Sequence, residues 1–479
     1  MERPAARGGR RAAESRLALI DPARYGASRN HLDGAVTRLS PYIRHGVLTL
    51  AEVREAVFAK LREQEEPGGS AALQGELFAS DQRLFPQAGG DGRAWSSAQR
   101  RAGEKLIAEL GWRDYWQRLW SHWGDGIWID REPLKTGHPR ESYAPELPAD
   151  LAAASTGLAC MDAFAAELMT SGWLHNHARM WLAAYVVHWR RVRWQAGARW
   201  FLQHLLDGDP ASNNLSWQWV ASAFSNKPYF FNRANLERFS SGRYCGSCPA
   251  AARGGAGVSG GCPFEASYEG LHVLLFLPQE TAGDQSGSLQ SGGQGAGATP
   301  GGNARSTALE KPAVSGPPPQ RPLVWVHGEA LGPANPALLA HPGAPAVFVF
   351  DRELIEGHTA TTGGHLQWGQ SGEVAPLAPG RLRFLQECVA ELPVAVRQGD
   401  VVTELLAAAT AIDADGIITS RGVDPRFAAI VKQLAVVLPV SLLEPEPFLQ
   451  LPQLGPGSPD LRRFSRYWRK AEPLVWKGE

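Results

Sequence analysis

"LLDGDPASNNLSWQW", residues 205–219, sets two aspartates, two adjacent asparagines and two tryptophans where a helical core would carry leucines. Asp207 and Asp209 flank Gly208 just after the helix-period run "ARWFLQHLL". One reading is a carboxylate-capped turn that starts the next helix. Another takes in the surroundings: Asn213, Asn214, Trp217 and Trp219 follow closely, and upstream "LHNHARM" puts His175 and Arg179 at i and i+4, with Asn176 three residues before Arg179. The Arg179 guanidinium suits a carboxylate partner, which Asp207 or Asp209 can supply while still accepting from a ligand. A buried polar set of this size calls for a ligand.

Around this stretch, residues 17–276 read mostly as helices. "GEKLIAELGWRDYWQRLWSHW", "MDAFAAELMTSG" and "GWLHNHARMWLAAYVVHWRRVRW" repeat apolar residues at i, i+3 and i+4. Downstream, residues 277–321 form a low-complexity linker rich in Gly, Ser, Ala and Pro, too poor in apolar surface to offset its ordering entropy. From 322 to 479 the period changes. "PLVWVHG", "AVFVFD", "PVAVRQGD", "DGIITS" and "LPVSLLEP" read as strands between the helical patterns "RLRFLQECVAEL", "VVTELLAAATAI" and "DPRFAAIVKQLAVV". Such alternation implies right-handed crossovers and a parallel sheet covered on both faces. The expected fold is therefore a multi-domain α and α/β chain: an all-helical domain followed by a Rossmann-like α/β domain. The closing "DLRRFSRYWRKAEP" reads as a basic amphipathic helix or loop.

The 479 residues are 44% hydrophobic, enough for sizeable cores, and carry 48 basic against 48 acidic side chains. Zero net charge gives no long-range case for a polyanionic partner and leaves room for a local basic groove. The start "MERPAARGGRRAAESR" has no apolar signal core, and no membrane-length apolar stretch follows. This predicts a soluble intracellular protein of the cytoplasm or nucleus, with an organelle such as the chloroplast as the alternative address.

Two further pieces carry chemistry. In "HLDGAVTRLSPYIRHG", Thr37, Arg38 and Ser40 precede Pro41, a pattern suited either to a pyrophosphate at a helix N-terminus or to a plain Ser40 N-cap. "YCGSCPAAARGGAGVSGGCPF" spaces Cys245, Cys248 and Cys262 as C-x2-C and C-x13-C. Three thiolates need a fourth ligand for zinc or for an iron–sulfur cluster, and Cys160, at the head of an upstream helix, is the candidate unless it is a small buried hydrophobe. Cys388 reads as core.

These residues, in this order, resemble the flavin domain of the DNA photolyase and cryptochrome family over nearly all of residues 17–240. "LDGAVTRLSPYIRHG" is similar to the phosphate-binding segment and "AELGWRDYW" to the substrate-facing helix. "TGLACMDAFAAELMTSGWLHNHARMW" and "WQAGARWFLQHLLDGDPASNNLSWQWVASAF" are similar to the helices that clasp the isoalloxazine ring. The resemblance implies bent FAD, with Tyr25, Thr37, Arg38, Leu39 and Ser40 around its phosphates. Asp207 and Asp209 would lie at the ribityl and ring edges, Arg113 and Asn176 would belong to the same set, Asn213 would face flavin N5, and Arg179 would pair with Asp207. Asparagine at the N5 position looks like the photolyases; plant cryptochromes place aspartate there and animal ones cysteine.

The resemblance also implies a pocket in which Glu109 and Trp112, with Met180 opposite, receive a flipped pyrimidine dimer. A protonated Glu109 would donate to a thymine carbonyl, whereas the residue-level alternative is a helix-surface ion pair. Arg113, Arg190 and Arg193 are expected to rim this pocket towards damaged DNA. Trp217 and Trp194 match two relay tryptophans, with Tyr143, Trp128 or Trp189 in the third place. The cysteine spacing resembles the iron–sulfur bacterial branch, in which four cysteines hold a 4Fe-4S cluster, with zinc as the chemical rival. Residues 322–479 resemble the family's antenna domain, placed after the flavin domain as if the chain were circularly permuted, and "HGEALG" stands where typical members carry a basic run. The antenna pigment has no sequence signature here. The implied activity is light-driven dimer splitting, and the alternative is a cryptochrome-like photoreceptor with a protein signalling partner.

Overall fold

The computed structural model describes residues 6–63, 95–277, 319–359, 373–374, 376–452 and 459–477. Most of the Gly- and Ser-rich linker lies outside the described residues.

The helical half is organised on the helix Ser97–Trp123. A capping box starts it: the Ser96 side chain accepts from the Gln99 N–H, and the Gln99 side chain accepts from the Ser96 N–H. Leu106, Ile107, Leu110 and Leu119 are buried along it, each worth roughly 1.5–3 kcal/mol of transfer free energy. Helices Pro22–Ser28, Leu50–Glu63, Pro210–Ala221 and Phe464–Lys477 pack around it. The last of these is the "RRFSRYWRKAEP" segment, helical, with Tyr467, Ala471, Val475 and Trp476 buried. Gly111 makes that docking feasible, since a Cβ there would run into the Trp468 ring.

Helix Ala159–Ser171 stops at Gly172, whose φ of 63° is left-handed. The periodic pattern of residues 172–194 runs unbroken in the sequence, but the backbone does not follow it. Helix Asn176–Ala184 widens into a π turn, Tyr185–Trp189, and the chain leaves it through Arg191 at φ 50°. One inserted residue barely alters an apolar pattern, so the sequence hides it. The turn buries Val186 and Val187 and brings His188 Nε2 to 3.1 Å from the Val220 carbonyl.

Strands β1 (Pro322–Val326), β2 (Ala346–Asp351), β3 (Ala395–Gly399), β4 (Gly416–Ser420) and β5 (Val440–Leu443) form one parallel sheet in the order β3-β2-β1-β4-β5. Alternate residues serve different cores. Leu323, Trp325, Val347 and Val349 pack with Leu405 and Phe427, whereas Val324, Val326 and Phe348 join a core continuous with the helical half. The order reverses between β1 and β4, and ligand crevices in such sheets open beyond the carboxyl ends at this point.

The loop after β1 docks there on the helical half. The His45 ring nitrogens lie 2.7 Å from the Gly328 carbonyl and 3.1 Å from that of Leu206, and the Leu331 N–H donates to His45 O. Gly46, at φ 63°, lets the Glu329 backbone in where a Cβ would collide with it. Among the described residues no helix is long and apolar enough to cross a membrane.

Candidate functional site

Asp207 and Asp209 both lie at the start of Pro210–Ala221, where a capped turn and an ion pair to Arg179 stand side by side. Asp209 is the N-cap, accepting from the Ser212 N–H at 2.8 Å and its hydroxyl at 2.6 Å. It also takes Arg113 at 2.9 Å, Gln117 at 3.0 Å and Arg44 at 3.8 Å. Burial pushes its carboxyl up, but Arg113, Arg44 and Ser212 outweigh that and hold it at about 2. Asp207 pairs with Arg179 at 3.0 Å, and Arg179 is braced by the Leu174 carbonyl at 2.8 Å. Burial again raises the carboxyl, and Arg179 together with the Ser40 hydroxyl brings it below its ordinary value. Asp207 Oδ1 and Asn214 Nδ2 are buried with no hydrogen-bond partner in the protein. A buried polar atom without a protein partner is a group that a bound ligand can satisfy.

Thr37, Arg38, Leu39 and Ser40 lead into the same corner. Arg38, at φ 54°, lays its guanidinium 4.1 Å from the Trp173 ring centroid, and the Leu39 N–H meets Thr37 Oγ1 at 3.4 Å while the Leu39 side chain sits in the core. Asn213 donates to the Ala198 carbonyl at 3.0 Å and to Asn214 Oδ1 at 3.1 Å. Asn176 is exposed and donates to Met180 Sδ at 3.7 Å. Trp217, one turn after Asn213, lies across Gly197, where a Cβ would strike its ring. Trp194 stands one turn before Gly197, bonds Asp130 at 2.6 Å, and stacks on Trp128 with centroids 6.4 Å apart and planes 14° apart. Tyr143 is instead engaged with Thr136 at 2.8 Å, and Trp189 with the Pro263 carbonyl at 3.1 Å.

Glu109 is ion-paired to Arg29 at 2.6 Å, its side chain 40% exposed. Desolvation raises this carboxyl and Arg29 opposes the rise. Tyr25 stands beside both; burial and the Glu109 charge raise its hydroxyl. Trp112 stacks on Phe464, centroids 3.7 Å and planes 10° apart, with Trp116 at 5.0 Å. The expected rim arginines divide: Arg113 is committed to Asp209, Arg190 makes a fork to Asp150 at 2.8 and 2.9 Å, and Arg193 Nε is buried without a partner.

Arg29, Arg44, Gln117 and Phe464 escaped sequence reasoning. Gln117 carried a signal, four residues after Arg113 and so on the same helix face.

Cys160, Cys245, Cys248 and Cys262, all buried, line one small cavity with Arg233, Tyr244 and Phe264. Among the described residues no set of three or more Cys, His, Asp or Glu stands ready to hold a metal ion. Cys388 is core, its sulfur 3.2 Å from the Gly9 N–H. A larger cavity, about 200 Å³, lies beyond the carboxyl ends of the strands, walled by Trp325, Phe348 and Leu385 with Glu329, Asp424 and Arg426 among its polar groups.

Residues 106–242 match the family described as "FAD binding domain of DNA photolyase". The chain is 40% identical over 120 residues to a deoxyribodipyrimidine photo-lyase of Streptomyces griseus, covering 25% of this chain and 26% of that protein. It is 34% identical over 140 residues to the Escherichia coli K12 enzyme of the same name, covering 27% and 28%. The matched part thus spans about a quarter of these relatives. A Synechocystis cryptochrome structure superposes with a TM-score of 0.37 at 21% identity, over 48% of this chain and 43% of that one; at such a score the superposition adds no weight. Over residues 106–242 the chain is therefore similar to the FAD-binding domains of DNA photolyases.

Proposed function

We propose that the protein binds FAD at the Asp207–Asp209 cluster and uses light to split pyrimidine dimers in DNA by electron transfer. The observation that carries the cofactor is the pair of orphaned buried atoms, Asp207 Oδ1 and Asn214 Nδ2, an acceptor and a donor on residues either side of the Asp209 helix cap. When bound, FAD supplies a ring that exchanges single electrons on excitation. Arg179, Asp207, Asp209, Arg113, Asn176 and Asn213 form the ring-side set; Tyr25, Thr37, Arg38, Ser40 and the Leu39 main chain form the phosphate side. Arg179 keeps Asp207 ionised so that Oδ1 remains an acceptor. Asp209 fixes the start of its helix and thereby the aim of Asn213.

Trp217, Trp194 and Trp128 make up the relay, with Trp128 in the third place, and Asp130 is positioned to stabilise positive charge on Trp194. Glu109, Trp112 and Met180 would receive the flipped bases, with Arg29 as the counter-ion of Glu109. The four cysteines, converging on an apolar-walled cavity, are read as ligands of a 4Fe-4S cluster, zinc being the rival. The order of the two halves is read as a circular permutation, supported by the close docking of helix Phe464–Lys477 on Ser97–Trp123.

The decisive experiment illuminates the reduced, FAD-loaded chain with dimer-containing oligonucleotides in low salt. Restored thymines support repair, and intact dimers with FAD bound overturn it. Iron analysis of Cys160→Ser against the parent chain separates the cluster from zinc. A second reading, photoreception without repair, is favoured by the Phe464–Trp112–Trp116 stack, which occupies the indole that a base would need.

A further inference from the structure

Arg44 is buried between two carboxylates that belong to different halves of the chain. On one side its NH1 meets Glu329 Oε1 at 2.6 Å; on the other its Nε stands 3.8 Å from Asp209 Oδ1 and 3.1 Å from the Gly208 carbonyl. Glu329 belongs to "HGEALG", the loop that replaces the basic run of typical family members, and this loop is locked onto Arg44–Gly46. His45 contacts Gly328 O, Leu331 N donates to His45 O, and both Gly46 and Gly332 are needed for the close approach. A second buried guanidinium, Arg381, donates to the same Gly208 carbonyl at 2.8 Å, so Glu329 brings an acid to a corner that already holds two cations.

One buried guanidinium cannot give its full field to both acids. We infer that Glu329 is a positioning residue for the flavin site: it competes with Asp209 for Arg44 and so sets how much negative charge Asp209 presents to the ring. The inference rests on the flavin reading above. The three side chains are largely buried, so a change in one ion pair is felt at the next. With Glu329 neutral, Arg44 turns its charge on Asp209, less negative potential reaches the ring, and a ring that gains an electron is favoured. Removing the Glu329 charge therefore makes flavin reduction easier.

Two measurements test this on the full chain. Spectroelectrochemistry of the FAD-loaded protein compares the parent with Glu329→Gln, and with Asp424→Asn, which alters the acid beside Glu329 should the first variant fold poorly. A positive displacement of the midpoint potential, larger for Glu329→Gln, is expected, and an unmoved potential overturns the inference. The second is a double-mutant cycle of Glu329→Gln and Asp209→Asn by urea unfolding of the chain without flavin. The factor by which Glu329→Gln changes the unfolding equilibrium should differ about fivefold between the parent chain and the Asp209→Asn background. Equal factors sink the shared arginine. A chain that takes up no FAD defeats the flavin reading instead, and the cycle then still decides whether the two acids compete.

Discussion

Asp209 and Asp424 both feel the charge of Arg44, and their environments drive them apart. Asp209 is buried and Asp424 half-buried at the cavity, and for both desolvation is the first cause of a shift. Asp209 has Arg113, Arg44, Gln117 and Ser212 around it and is held at about 2. Asp424 faces Glu329, has the Arg426 N–H at 2.9 Å and only a share of Arg44, and rises to about 7. Burial alone does not decide the charge of a carboxylate; the number of donors brought to it does. The corner matched to a flavin domain is furnished to keep its negative charge, while the end of the sheet carries an acid short of cations.

The strongest way to break this contrast is Asp209→Asn, which leaves Arg113 and Arg44 buried around a neutral amide. Unfolding in urea should show a loss of about 3–5 kcal/mol, and FAD retention should fall with it. A loss below about 1 kcal/mol would mean that the arginines find other partners. Next comes acid titration of the parent chain. The folded value of Asp209 lies below its ordinary 3.8, so its contribution is complete above about pH 4 and drains away as the pH falls towards 2. That loss amounts to about 2 kcal/mol and should be missing from Asp209→Asn.

Asp424 has the opposite sign. Its folded value lies above 3.8, so the penalty for ionising it is absent below about pH 4 and complete above about pH 7. Asp424→Asn, which keeps the cap on the Arg426 N–H, should stabilise the chain at pH 8 and leave it unchanged at pH 4, read as midpoint shifts in thermal unfolding. Smallest is Glu353→Gln, whose half-open pair to Arg426 at 2.5 Å is screened by water. A change of about 0.5 kcal/mol, reduced further by salt, is expected in the same assay.

The parts legible in the sequence are those written in local spacing. Arg179 and Asp207 were recognisable because each sits in a short polar run that a helical core does not need, and the parallel sheet was recognisable from apolar runs alternating with helical ones. Arg44 lay inside a quoted motif and still passed unnoticed as a partner of Asp209. Its meaning depends on Glu329, 285 positions away, and no periodicity records such a meeting. Phe464 was read as part of a basic helix, but that it lands on Trp112 follows from the packing of the last helix against Ser97–Trp123, which only the assembled core decides. The π turn at Tyr185–Trp189 escaped because one extra residue leaves an apolar stripe nearly intact.

The first described residues have a consequence for how the molecule is made. Gly8 N–H donates to the Glu387 carboxylate at 2.6 Å, and Arg10 N–H to Glu391 at 2.7 Å. At ordinary ribosomal speed roughly 20 to 80 s separate the synthesis of these partners. Throughout that interval Arg7 and Arg10 can meet Tyr42, Val47 and Glu52, but the two N–H donors wait for their carboxylates until residue 391 has emerged.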